Sequence, residues 1–152
     1  MLVAASDPAA LFDRDQLMTA ILNVLSNKEV PVGDHEAPEI GGWSAGQPGT
    51  GIFVAYTTVF SGAVKVMPSI LCPGYYDYQA TINTRTFAAN RKQADDMALV
   101  VRRALHGFRP TLGQNKVRLM YCSQIGPVER MDDTNPKYWR VVDTYQADVG
   151  PV

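Results

Sequence analysis

The segment 87–106 carries the strongest constraint on how this chain can fold. Phe87, Ala94, Met97, Ala98, Val101, Ala104 and Leu105 recur at helical spacing. With each residue turning by about 100°, they fall within one arc of about 120°. The spacing predicts a helix over 87–106 with a single apolar side. Thr86 stands at the N-cap position, Gly107 where such a helix ends, and Pro110 blocks its resumption. A helix of this kind needs a flat apolar partner, and the rest of the chain supplies strand patterns.

Residues 51–60, Gly-Ile-Phe-Val-Ala-Tyr-Thr-Thr-Val-Phe, are β-branched and aromatic and read as a strand that Ser61-Gly62 ends. The stretch 64–71 is a weaker candidate, either a short strand or a loop, held to a sheet edge by Pro68. Cys72-Pro73-Gly74 makes a turn. Over 75–84 the chain alternates. Tyr76, Tyr78, Ala80, Ile82 and Thr84 share one face, and Tyr75, Asp77, Gln79, Thr81 and Asn83 the other. Residues 116–125 and 138–149 read as two more strands. In the last, Trp139, Val141, Tyr145, Ala147 and Val149 alternate with Arg140, Val142, Thr144, Gln146 and Asp148.

A second helix is predicted over 13–26, where Leu17, Met18, Ile21, Leu22 and Leu25 follow the helical period. Asp13 and Gln16 are spaced as in a capping box, and Asp7-Pro8 offers an alternative, earlier start. Residues 27–50 read as a long irregular loop, rich in Pro and Gly and acidic through Glu29, Asp34, Glu36 and Glu39. Loops of that length in a compact domain usually serve function or contact partners. A second loop is expected over 126–137, with Gly126-Pro127, Asp132-Asp133 and Asn135-Pro136. Few helical crossovers separate the strands. The expected fold is therefore α+β with two layers: a mainly antiparallel sheet of about four strands, and two helices packed on one face. The expected organisation is a single domain over 1–152.

Several functional classes are disfavoured at this level. No apolar run approaches the ~20 residues of a membrane span. The N-terminus lacks the basic start and apolar core of a signal peptide. Cys72 and Cys122 are the two cysteines, too few for a disulfide framework, so a reducing, cytoplasmic site of synthesis is expected. The net charge of −1 is far from that of a protein that grips nucleic acid by bulk charge.

Catalytic signatures are missing: no dinucleotide fingerprint, phosphate loop, paired metalloprotease histidines or nucleophile elbow occurs. Gly46, Gly49 and Gly51 lack the lysine a nucleoside triphosphate needs. His35 with Glu36 and Glu39 has the ligand chemistry of a metal site, but a solvated acidic loop is the simpler reading. Cys122 with His106 has the chemistry of a nucleophile and its base, but a cysteine in an apolar strand more often packs as a small hydrophobe. Asp95-Asp96 and Asp132-Asp133 offer carboxylate pairs, yet neighbours on a helix point ~100° apart. No catalytic residue, cofactor or metal is assigned.

Charge distribution is more informative. Residues 1–84 hold three basic and eight acidic side chains, residues 85–118 eight and two, and residues 119–152 three and five. Arg85, Arg91, Lys92, Arg102, Arg103, Arg109, Lys116 and Arg118 make a cationic stretch on a neutral chain. On the predicted helix, Arg91, Asp95 and Arg102 form one stripe and Lys92, Asp96 and Arg103 the next, with Leu99 between them. Such stripes fit a solvated face with i,i+4 pairs, but a leucine ringed by charge also fits an interface anchor with a polar rim. Acidic and basic segments on one chain suit head-to-tail contact between copies, which closes into rings.

The chain resembles the tail terminator (tail completion, minor tail) proteins of long-tailed bacteriophages. The resemblance runs through Val30-Pro31-Val32-Gly33, Ile52-Phe53-Val54-Ala55-Tyr56, Tyr78-Gln79-Ala80-Thr81-Ile82 and Thr84-Arg85-Thr86. It continues through Arg91-Lys92-Gln93-Ala94-Asp95-Asp96-Met97-Ala98, Val101-Arg102-Arg103-Ala104-Leu105 and Tyr145-Gln146-Ala147-Asp148. The family implies a non-enzymatic virion role. It implies a homo-oligomeric, hexameric ring at the head-proximal end of the tail tube. That ring stops tube polymerisation and joins the neck, and double-stranded DNA passes through its lumen. The implied partners are the chain itself, the tail tube protein, a neck or head-completion protein and the passing DNA, with no membrane. Arg91, Lys92, Leu99, Arg102 and Arg103 are the expected subunit or tail/neck interface, and charge reversal at Arg102 and Arg103 is expected to block assembly while sparing the fold. The alternatives are a neck or head-closure ring protein, or a small cytosolic ligand-binding domain or enzyme using Tyr75, Tyr76, Tyr78, His106 or Cys122.

Overall fold

The computed structural model describes residues 11–40, 43–44, 54–132 and 138–152. Along the chain run α1 (Arg14–Asn27), β1 (Val32–Asp34), β2 (Glu39–Ile40), β3 (Trp43–Ser44), β4 (Tyr56–Pro68) and β5 (Tyr76–Ala88). They are followed by α2 (Arg91–Leu105), β6 (Thr111–Leu112), β7 (Asn115–Met131) and β8 (Tyr138–Pro151). A six-stranded sheet has the order β1-β4-β5-β8-β7-β6, and β2 with β3 forms a separate two-stranded ribbon. β1 runs parallel to β4, and every other neighbouring pair in the main sheet is antiparallel.

The α+β class and the two helices are as expected, but the sheet has six strands rather than about four, and it is mixed. β1 and β6 are three and two residues long, too short to display a period of two. The parallel β1–β4 pair also explains much of the long 27–50 link. Parallel neighbours need a crossover of a dozen or more residues, and residues 35–55 supply it.

α1 begins where the Asp13 reading placed it. The Asp13 carboxylate accepts a hydrogen bond from the Asp15 N–H at 2.9 Å. The alternative start at Asp7-Pro8 lies outside the described residues. Leu17, Met18, Ile21 and Leu25 are buried along one side of the helix.

Three strand boundaries differ from the sequence reading. Ser61-Gly62 does not end β4, because a register shift between Ser61 and Val64 absorbs the extra residue and the strand continues to Pro68. Residues 51–53 of the expected strand lie outside the described residues. β7 likewise passes through Gly126-Pro127 by a register shift between Ile125 and Val128. The expected 126–137 loop is thus strand as far as Met131, and residues 133–137 lie outside the described residues. Finally, residues 86–88 belong to β5, not to the helix. Thr86 is buried, with its hydroxyl 3.0 Å from that of Thr57, and Phe87 stacks on Tyr56 with ring centroids 4.9 Å apart. Hydrogen bonding to β4 and β8 on both sides outweighs the helical spacing of one phenylalanine.

Both helices pack on one face of the sheet. Leu17, Ile21 and Leu25 of α1 and Val101 and Leu105 of α2 meet Val59, Ile82, Met120, Tyr145 and Val149 in one core. A second cluster joins Ala94 and Ala98 to Ala88 and Val141. Burying each large aliphatic side chain contributes about 1.5–3 kcal/mol. No helix among the described residues is long and apolar enough to cross a membrane.

Candidate functional site

α2 is held at both ends. Asn90, rather than Thr86, is its N-cap, its side-chain oxygen accepting from the Gln93 N–H at 2.9 Å. At the other end the Gly107 N–H donates to the Met120 carbonyl at 2.9 Å, and Gly107 adopts φ +74°. Arg102 and Arg103 lie in the last turn, where positive charge complements the helix dipole. Ala94, Ala98, Val101 and Leu105 face the sheet.

The opposite side carries the five residues expected at an interface, and the structure divides them. Arg91, Lys92, Leu99 and Arg103 are exposed, with Leu99 38% accessible beside Val100 at 39%. Lys92 pairs with Asp96 at 2.8 Å across one helical turn. Arg102 turns inward. Its Nε donates to Asp143 Oδ2 at 2.8 Å, with the two side chains 15% and 1% exposed. The second Asp143 oxygen accepts from the Gly126 N–H at 3.1 Å. One carboxylate thus ties α2 to β8 and to the kink in β7. Reversal at Arg102 would set two carboxylates against each other beneath the helix, so it tests the fold and not assembly.

Asp143 is the key residue the sequence reading missed. Its signal was a gap: position 143 falls on the apolar side of β8 between Val141 and Tyr145 and is the one charged residue there.

Two further surfaces bear on function. The β4–β5 hairpin ends in a loop closed by Ser69 N–H to Tyr75 O at 2.9 Å, Tyr75 N–H to Cys72 O at 3.1 Å and Cys72 N–H to Ser69 Oγ at 3.1 Å. From that loop Ile70 and Leu71 project, 92% and 73% exposed. The sheet face away from the helices is polar, and its charges include the ion pairs of Arg118 with Asp77 at 3.1 Å and of Arg140 with Glu129 at 2.7 Å. Gln79 reaches Asp148, Thr81 reaches Gln146, and Thr144 donates to Asn83, at 3.4, 3.3 and 3.0 Å. Arg85 lies over the Phe60 ring at 4.5 Å.

The enzymatic candidates do not assemble. Cys122 donates to the Gln124 carbonyl at 3.4 Å, and burial together with the Asp143 carboxylate pushes its thiol up, away from a reactive thiolate. His106 ends α2 and is exposed. His35 contacts Asp34 and sits edge-on to Phe60, with centroids 5.1 Å apart. No group of three metal-ligating side chains occurs among the described residues. Asp132 pairs with Arg130 at 2.8 Å, while Asp133, Gly46, Gly49 and Gly51 lie outside the described residues. Tyr78 is buried and stacks on Phe12 at 5.4 Å, so it is core.

No family model matches the chain, and no curated protein matches it. Among solved structures it shares its fold with a chain from the virion of a native gene transfer agent particle. The TM-score is 0.57 at 16% identity, over 88% of this chain and 94% of that one.

Proposed function

We propose that this chain is a structural protein of a virion, without enzymatic activity. In the finer reading it is a tail terminator: a hexameric ring on the head-proximal end of a phage tail tube. That ring stops tube polymerisation, joins the neck proteins and lets double-stranded DNA through. It is made and assembled in the host cytoplasm. The observation that carries the proposal is the shared fold with a virion chain of the gene transfer agent particle, which extends over nearly the whole of both chains.

The surfaces support the same reading. Arg91, Lys92, Leu99 and Arg103 face a neighbouring copy or tail protein, and Arg102 fixes the helix that presents them. The strip of Gln79, Thr81, Asn83, Thr144 and Gln146 at the centre of the sheet face away from the helices suits the wall of a DNA passage. DNA slides past such a wall, because each phosphate neutralised would add affinity.

Electron microscopy of lysates from the parent virus with this gene disrupted tests the role. Free heads together with tails of irregular, excessive length are the expected result. Free heads with separate tails of normal length would move the protein to the neck. Ordinary infectious particles would overturn the proposal.

A further inference from the structure

We infer that the segment Met1-Leu2-Val3-Ala4-Ala5 docks in the apolar groove beside Val66 and Tyr76, near the tip of its own chain's β4–β5 hairpin. The groove lies where the helix layer stops short of the sheet. α1 begins at Arg14, and Phe12 ahead of it stacks on Tyr78, with ring centroids 5.4 Å apart. The strands run further: β4 continues to Pro68, and β5 starts at Tyr76. Val64 pairs with Ala80 and Val66 with Tyr78, so alternation puts Val64, Val66, Tyr76 and Tyr78 on the face that bears the helices. With Leu11 and Phe12 they line a groove of about 330 Å³. Val66, Leu11 and Tyr76 are 57%, 50% and 41% exposed. Large apolar side chains gathered in one groove mark a docking surface, unlike single exposed leucines.

Two observations select this segment as the occupant. The first is continuity. Leu11 is a wall of the groove, and it directly follows residues 1–10, which lie outside the described residues. The link from Ala5 to Leu11 spans at most about 20 Å, which holds Leu2 and Val3 in the neighbourhood of the groove. So short a tether gives an effective concentration in the millimolar range. Another copy competes only at its own bulk concentration.

The second is chemistry. Met1 to Ala5 carry only apolar side chains, which suits walls of Leu, Val, Phe and Tyr. The groove's described lining holds one charged side chain, Arg14, and residues 1–10 hold one, Asp7, of opposite sign. Ser6-Asp7-Pro8 has the composition of a turn, which lets residues 1–5 fold back toward Leu11 instead of running past the hairpin tip. The outer edge of β4 is a separate surface. β1 leaves it at Val59, so a strand added from Phe60 onward would bond to backbone, whereas the groove receives side chains.

The inference stands apart from the virion role, and the whole purified chain tests it. A nitroxide on Val3→Cys, with Cys72→Ser and Cys122→Ser removing the other thiols, should broaden the amide signals of residues 64–66 and 76–78 of the same molecule. Val66→Asp should abolish that broadening. Nitroxide-bearing chain mixed with isotope-labelled chain that lacks the nitroxide should leave those signals sharp. Independently, Leu2→Asp/Val3→Asp should speed hydrogen exchange at the same amides about tenfold, since burying one leucine is worth about that factor in a local opening equilibrium. Exchange in α2 should not change. Absent broadening, broadening that survives Val66→Asp, or exchange unmoved by Leu2→Asp/Val3→Asp would each overturn the inference. Broadening seen only between copies would overturn it too, and would give this end of the sheet to a neighbouring copy.

Discussion

Replacing Arg102 by alanine should cost far more than its partly exposed position implies. Asp143 is 1% exposed and accepts from Arg102 Nε at 2.8 Å and from the Gly126 N–H at 3.1 Å. Without Arg102, the carboxylate stays buried with its charge uncompensated. Breaking a buried pair in this way costs about 3–5 kcal/mol. That is a large share of the roughly 5–15 kcal/mol that stabilises a domain. At about 2–4 °C per kcal/mol for a chain of this size, the melting temperature should fall by roughly 6–20 °C. Urea unfolding followed by circular dichroism measures the loss as a lower midpoint at unchanged slope. Arg103→Ala, one residue along on the exposed side, should stay within about 0.5 kcal/mol of the natural chain. The double variant Arg102→Met/Asp143→Leu should regain part of the loss, because an apolar pair needs no charge compensation but leaves the Gly126 N–H without its acceptor. A loss below about 1 kcal/mol for Arg102→Ala alone would refute the claim that this ion pair anchors α2.

Gly126→Ala should destabilise through backbone: its Cβ would lie 1.8 Å from the Val142 carbonyl oxygen, so β7 must leave β8 at the kink. Calorimetry should show a drop of at least about 2 kcal/mol, and an unchanged melting temperature would contradict the assigned register. Asn90→Ala should cost about 1 kcal/mol as a lost N-cap, measured by urea unfolding, and Thr86→Ala should not reproduce it as a helix effect. Burial, and then the neighbouring Tyr138, push Tyr56 up to about 12 from its ordinary 10.0. A tyrosine raised in the folded state stabilises fully below its unfolded value and loses that contribution as pH rises through the folded one. Stability should therefore fall between pH 10 and 12, and Tyr56→Phe should flatten that fall in a pH series of urea midpoints.

Much of the fold was legible because period and burial coincide. The alternation from Tyr78 to Thr84 and the apolar side of α1 were visible in the order of residues alone, and both face the core. The errors share one cause, namely cooperativity that a local window does not contain. Residues 86–88 satisfy either a strand or the first turn of a helix. β4 and β8, distant in sequence, decide the matter by pairing on both sides. Gly62 and Gly126-Pro127 look like terminators, yet each sits at a register shift inside a long strand where the partner strand carries the pairing across. β1 and β6 have no period to read, being defined by the neighbour they complete.

The candidate interface was legible for a different reason, and only in part. Helical angles correctly placed Leu99 among charges on the outer side of α2, because that side depends on the helix alone. They could not tell Arg102 from Arg103, which differ by a single step around the helix. What separates them is Asp143, far along the chain, at the one place on β8 where an aspartate interrupts an apolar series. The consequence bears on assembly. With Arg102 committed to the interior, Arg91 and Arg103 flank Leu99 on a helix pinned at Asn90, Asp143 and Gly107, a rigid surface that loses little entropy on meeting a partner. At the far end of the sheet the hairpin tip, pre-shaped by Ser69 and Tyr75, presents Ile70 and Leu71 to solvent. Charge reversal at Arg103 should therefore weaken association and leave the urea midpoint in place, whereas reversal at Arg102 should lower the midpoint first and association only as a consequence.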